Sequence, residues 1–317
     1  MPLFHRNPKH LTYAHTPSRA KIFIIRILNA LTFAACIAVN VLAATTTRLN
    51  GVQTGTISDE NPSMVTPAGW AFGIWIVIYA FLILFTVIHL LPQTYLSHTL
   101  NISSGSLLFT LLNLLNIAWL LCWHYRQLEA SLALIYAMFL TLLTIFARGK
   151  GGVWEKVFVG RGRVAGVEDG SGVGYYTEGS ESTIVDGDGI QKRSGRVKAI
   201  AKWVWMRVPF GLYLGWIIAA ATANTFAYFY PLRDGPEETG AVVGLVIVGV
   251  IGVIITLWFT DPVPAAVLVW ALVAIRQGGA EGYDKVRLTS TIVAAVVGGV
   301  AVLSLLGALF KLIRGRA

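Results

Sequence analysis

The residues with chemistry to offer in this chain are aromatic rings and carboxamides set in its most apolar stretches. Asn113, Asn116, Trp119 and Trp123 share one stretch, Tyr213, Trp216 and Asn224 a second, and Phe72, Trp75 and Tyr79, behind Pro67, a third. At 100° per residue each set falls on one helix face, spanning about 120°, about 80° and about 60°. Aromatic walls with a few converging amide groups suit a pocket for a flat, largely apolar ligand. Intramembrane asparagines also hydrogen-bond between helices, at about 0.6 to 2 kcal/mol each, so the same residues fit plain packing. Covalent chemistry has no support in the spacing. There is no Ser-His-Asp order, no H-E-x-x-H and no pair of carboxylates within reach of an apolar pocket, so no catalytic residue and no metal ligand is assigned. The chain reads as a binder and not an enzyme.

Those faces need long apolar elements to carry them. Of 317 residues, 55% are apolar and only 13% charged, and the mean hydropathy is +0.66. Soluble domains run near 25% charged, so this is a membrane composition. The net charge of +9 comes from basic residues lying between apolar runs, which points to orientation in a bilayer and away from nucleic acid. Cys36 and Cys122 both lie inside apolar segments, where a thiol acts as a small hydrophobe.

Eight segments are candidates to span: about 22–44, 70–91, 107–124, 130–147, 208–230, 241–260, 263–276 and 290–312, against roughly 20 residues required. The seventh is short, and is read as re-entrant or as kept in the membrane by its neighbours. The second opens with T-P-A-G-W-A-F-G-I-W, in which Pro67 and Gly69 shape a loop and Trp70 suits the headgroup level. Further buried polar groups are Asn40 in the first segment and His89 near the end of the second. No Asp, Glu, Lys or Arg stands in the middle of any segment, which disfavours ion-coupled transport and proton relays.

The basic residues also orient the chain. Five lie before residue 27, eleven from Arg148 to Arg207 and three at Lys311, Arg314 and Arg316, whereas six fall on the opposite side with eight crossings. Both termini are therefore predicted to be cytoplasmic. The predicted organisation is a cytoplasmic tail over 1–21, helices one to four over 22–147, a cytoplasmic loop over 148–203, helices five to eight over 204–312, and a basic tail over 313–317. The long loop is rich in Gly, Ser, Asp and Glu and is predicted to be disordered, its G-x-G and D-G-D-G runs lacking the context of a phosphate or calcium loop. Pro2, Pro8 and Pro17 argue against an amphipathic transit peptide, and the first apolar run is too long for a signal-peptide core. The sequon at Asn101 falls on the inside in this topology.

Three of these motifs resemble the translocator protein or tryptophan-rich sensory protein (TspO/MBR) family, small five-helix membrane proteins that bind tetrapyrroles and sterols. Y-L-G-W-I-I-A-A-A-T-A-N, Tyr213 to Asn224, is similar to that family's Tyr-Leu-x-Trp, Ala, Asn pattern, and Asn116-Ile117-Ala118-Trp119 to its Asn-x-x-Trp. Pro67 to Tyr79 resembles its Pro-rich loop followed by Phe-Gly, Trp and Tyr, with the Phe72 to Trp75 spacing one residue shorter and Ile74 in place of the Pro after Phe-Gly. The end of the fifth segment, F-A-Y-F-Y-P-L-R, lacks the Leu or Val before Tyr of the proposed cholesterol motif. The resemblance covers about 200 residues and identifies a larger, divergent branch with three additional C-terminal helices.

The fold class read from the chain is an all-α, multi-pass membrane bundle of about eight transmembrane helices, the first five resembling a five-helix translocator-protein bundle. The resemblance implies a pocket closed by the loop between helices one and two, often in a homodimer, with a tetrapyrrole (heme or porphyrin) or a sterol as ligand; no cofactor follows from the residues themselves. The partners are then the lipid bilayer and a small hydrophobic ligand, and the role sensing or transport aid. Two rivals are a transporter for a neutral or amphipathic solute and a membrane scaffold that binds nothing.

Overall fold

The computed structural model describes residues 19–91, 105–148, 203–229 and 238–314. Most of the tail over 1–21, nearly all of the 148–203 loop, the end of the basic tail and Asn101 lie outside the described residues. What is described is helical, with no strand. Helix α1 spans Arg19–Thr45 and short α2 spans Thr54–Glu60; a 3-10 turn, Gly69–Gly73, runs into α3, Ile74–Leu90. Then follow α4 (Gly105–His124) and α5 (Leu128–Arg148), a π-helical turn (Trp203–Arg207) leading into α6 (Val208–Phe229), α7 (Glu238–Phe259), α8 (Val263–Gln277) and α9 (Asp284–Arg314). The eight predicted segments are thus α1 and α3 to α9.

Seven of these helices are long and apolar enough to cross a membrane, and α8 is a shorter apolar helix. Their outward faces carry bare apolar side chains, Ile76, Leu257 and Leu303 among them, which only lipid can cover. The protein is an integral, multi-pass membrane protein. Two segment starts differ from the sequence reading. The second begins as a 3-10 turn and becomes α-helical only at Ile74. The last begins at Asp284, six residues before the predicted 290, where an acid in the first turn meets the positive end of the helix and Lys285 pairs with Glu238 at the start of α7.

The helices close in the order α1, α4, α5, α6, α8, α9, α7, each packed directly on the next, while α3 stands further from its neighbours α1 and α6. Small residues set the tightest crossing. A Cβ on Gly215 of α6 would come within 2.5 Å of the Pro264 carbonyl oxygen, so the Gly211-x-x-x-Gly215 pair is what admits α8. At about 22 Å, α8 falls short of the roughly 30 Å hydrocarbon thickness, and buried Val267, Leu268, Ala271 and Leu272 show it held by its neighbours.

One end of α8 is fixed by charge. The Asp261 carboxylate accepts from the Val263 backbone N–H (3.1 Å) and from Arg207 Nε (3.1 Å), and Arg207 Nη1 donates to the Phe146 carbonyl (2.7 Å). Both charged side chains are buried. The guanidinium also lies 3.8 Å over the Phe146 ring, so the pair joins α5, α6 and the turn before α8.

The other end of α8 holds the non-helical stretch between α2 and α3. Ala68 N–H donates to the Ala274 carbonyl (2.9 Å) and Gly279 N–H to the Thr66 carbonyl (2.8 Å). The Trp270 indole donates to the Ala71 carbonyl (3.1 Å) and the Trp70 indole to Gln277 Oε1 (3.1 Å), while the two indoles meet edge to face at 4.7 Å. Here Gly279 has no room for a side chain, because a Cβ would fall on the Ser63 carbonyl oxygen.

Gly279→Ala should therefore lower the melting temperature in detergent, with a cost of roughly 1–3 kcal/mol from the forced shift. Gly299→Ala in α9, where a Cβ meets open space, should leave it unchanged or raise it.

Candidate functional site

Between α1, α3, α4 and α6 the helices are spaced by rings. Trp75 stacks on Tyr79 (centroids 5.2 Å, planes 20° apart) and meets Tyr213 edge-on at 5.4 Å and Trp216 at 6.3 Å. Phe72, from the 3-10 turn, meets Trp216 edge-on at 5.6 Å. Trp216 and Tyr213 are fully buried, Trp75 and Tyr79 half-buried, and Phe72 is 38% exposed. The ring set continues from Tyr79 to Phe33, Phe109, Phe85 and Phe210. Edge-to-face and offset pairs at these separations suit the ring quadrupoles.

Asn116 sits beside this cluster as a three-helix knot. Its Oδ1 accepts from Asn40 Nδ2 at 2.7 Å and from the Cys36 thiol at 3.1 Å, and its Nδ2 donates to the Tyr213 oxygen at 2.8 Å. Asn40 Nδ2 also donates to the Cys36 carbonyl (2.9 Å). The donor side of Asn40 therefore faces Asn116, the amide of Asn116 is oriented in turn, and Tyr213 must act there as acceptor. Sequence reasoning treated Cys36 as a bare hydrophobe; its spacing of four from Asn40, one helical turn, is the signal that pairs them.

The remaining candidates go elsewhere. Trp119 donates its indole N–H to Asn224 Oδ1 (3.0 Å), and Asn224 Nδ2 donates to Ser131 of α5 (3.1 Å). Trp123 stacks on Trp119 at 6.3 Å and packs with Ile57 of α2 and Ala227. Asn113 donates to Thr32 of α1 (3.3 Å). Pro67 is buried in the stretch that α8 holds. The eleven candidates thus resolve into an inner cluster of Phe72, Trp75, Tyr79, Tyr213, Trp216 and Asn116, an outer group of Trp119, Trp123 and Asn224, and two residues, Pro67 and Asn113, outside both. Ser131 and Trp270 had no signal in the sequence, since each matters only through a partner more than 90 residues away.

Helix α2 covers the outer group. Thr54 Oγ1 bonds His124 Nε2 (2.8 Å), Asn50 bonds the His124 ring and carbonyl, and Arg126 forms a bidentate pair with Glu60. A few residues further along, at Trp119 and Asn116, the interior begins. Among the described residues no group of three or more His, Cys, Asp or Glu side chains could hold a metal.

Asn116→Leu should destabilise the folded protein by about 1–3 kcal/mol, because it removes the hydrogen bonds that Asn116 makes with Asn40, the Cys36 thiol and Tyr213. Asn113→Leu, which removes one longer bond, should cost less. Thermal or urea unfolding in detergent measures both.

A family model described as TSPO-like protein matches residues 26–304. No curated protein and no solved structure matches the chain. The match runs from α1 through α7 and α8 into α9, so the helices beyond the five-helix core lie within the family's own extent. On that match, spanning most of the chain and every helix that builds or braces the aromatic cluster, the protein belongs to the TSPO-like family.

Proposed function

We propose that this protein binds a flat hydrophobic ligand, tetrapyrrole-like or sterol-like, against the inner aromatic cluster, and that it senses this ligand or aids its movement through the membrane. The observation that carries the reading is the meeting of rings from α3 and α6 at one place, beside Asn116 of α4. Trp75, Tyr79, Tyr213 and Trp216 converge there while Trp75, Tyr79 and Phe72 keep ring surface uncovered. Interfaces that serve packing alone favour small residues and close backbones, as α6 and α8 do; α3 instead stands off behind large rings. A planar ligand would gain ring contact on the uncovered faces of Trp75 and Phe72, and the rigid walls behind them would keep the ordering cost low.

A non-binding scaffold is the competing reading, and the saturation of the amides favours it: Asn113, Asn116 and Asn224 each spend hydrogen bonds on neighbouring helices. The rings decide between the two. Trp75→Ala or Trp216→Ala should weaken binding of hemin or protoporphyrin by 1 kcal/mol or more, about fivefold in Kd. Trp258→Ala, a residue of α7 that is 66% exposed, should leave Kd within about a factor of two. Fluorescence titration in detergent reads both, and a folded protein that binds neither tetrapyrrole nor sterol leaves the scaffold reading in place.

The distribution of basic residues supports cytoplasmic termini, with the Arg207–Asp261 end of the bundle on the same side. In a background with Cys36 and Cys122 replaced by Ala, Arg148→Cys should label with an impermeant maleimide from the cytoplasmic side and Gln127→Cys from the other. Labelling of both from one side overturns this orientation.

A further inference from the structure

Two phenol hydrogens are left over at the inner cluster. The Tyr79 hydroxyl is buried and forms no hydrogen bond of normal geometry. Tyr213 accepts from Asn116, and among the described residues its own hydroxyl donates no hydrogen bond. The polar neighbours of Tyr79 are the Cys36 thiol and the Tyr213 phenol; the thiol hydrogen goes to Asn116 Oδ1, which leaves the sulfur as a weak acceptor for the Tyr79 hydroxyl. Both tyrosine rings touch Trp75, so both hydroxyls are carried by rings that border the proposed site.

A buried donor without an acceptor costs more than an apolar group of the same shape, and here two are kept side by side in a region where every amide is matched. Among the described residues only the Cys36 sulfur, a weak acceptor, stands near them, and the charge pattern limits what can supply a better one. Helices α3, α4 and α6 contain no Asp, Glu, Lys or Arg, and α1 contains none after Arg26. A carboxylate brought here would be desolvated with no cation to offset it. A ketone, ester or ether oxygen brings an acceptor at far lower desolvation cost.

We propose that the inner cluster recognises an uncharged acceptor oxygen on its ligand, which receives the hydrogen bond of Tyr79, so that the end of the ligand inserted between α3 and α6 is a ketone, ester or ether and any acidic group stays outside. This rests on the binding role proposed above. The partly exposed rings of Phe72 and Trp75 take up the flat body, and the Tyr79 hydroxyl sets which end goes in.

The test uses the full-length protein in detergent, tritiated 4-cholesten-3-one as probe, and cholestane and cholestane-3-carboxylate as competitors. The wild type should bind the ketone at least about tenfold more tightly than either competitor, the order of one well-placed hydrogen bond. Tyr79→Phe should lose about that factor for the ketone, leave cholestane unchanged, and melt at the same temperature or higher, because the hydroxyl removed has only the weakly accepting Cys36 sulfur beside it in the empty protein. Tyr136→Phe, whose hydroxyl bonds Thr225 on an outer face, should change neither affinity. If Tyr79→Phe binds the ketone as the wild type does, loses cholestane in parallel, or melts lower, or if the carboxylate competes as well as the ketone, the assignment of Tyr79 falls while the pocket stands. If the folded wild type binds none of the three steroids and no tetrapyrrole, the pocket falls and this assignment with it.

Discussion

Inside a bilayer a backbone N–H or C=O has no water to turn to, so any non-helical stretch at depth must find its partners within the protein. The residues from Asn61 to Ala68, several of them buried against the bundle, face the same requirement. The rings just beyond this stretch, Phe72 and then Trp75, meet Trp216, the ninth residue of the 22-residue α6, which places them well inside the bundle. The backbone of the stretch is satisfied partly by itself, through Thr66 N–H to the Ser63 carbonyl, and partly by α8, through Ala274 and Gly279. That requirement accounts for the length of α8 and for the glycines that follow it. A longer helix would leave no free Ala274 carbonyl at that level, and any side chain at Gly279 would push the stretch away.

The same bracing explains why charge is tolerated at the opposite end of α8. Replacing a buried ion pair with apolar residues is often neutral, whereas removing one partner is costly, so a pair like Arg207–Asp261 is better understood as a positioning device than as a source of stability. Asp261 receives the first N–H of α8 and the guanidinium that reaches back to α5. With one end held by this pair and the other by the Ala68 and Gly279 hydrogen bonds, α8 transmits the placement of α5 and α6 to the turn carrying Phe72. The aromatic cluster is thus shaped from outside the four helices that line it.

Asn116 performs the corresponding task from within. By accepting from α1 and donating to α6 it fixes where Tyr213 points, and by consuming its own polar atoms it leaves the cluster with phenol donors and no amide to offer. The chemistry of the site consequently shifts from the carboxamides, which are spent on holding helices together, to the tyrosines and the ring faces. In the proposed binding role, such a cluster would select for shape and for a single acceptor atom.

Several features were legible in the chain alone because they depend on one element at a time. Composition and segment length determine a multi-pass helical membrane protein; the 3.6-residue period determines that Trp75 and Tyr79, or Tyr213, Trp216 and Asn224, share a face; and the Tyr-Leu-Gly-Trp and Asn-x-x-Trp motifs resemble the family to which the whole chain belongs. The interactions that join elements could not be read this way. Nothing local tells Asn116 to choose Asn40 and Tyr213, 76 and 97 residues away, or directs Asn224 to Ser131, or marks Ala274 as the acceptor for Ala68, because a hydrogen bond between helices depends on their rotation and depth and leaves no periodic trace. The division of eleven candidate residues into an inner cluster, an outer group and two bystanders is likewise a product of helix placement. Residue type and spacing decide which face a side chain shares, but only the crossing of α3 with α6, held at a distance by rings and braced by α8, decides which faces meet.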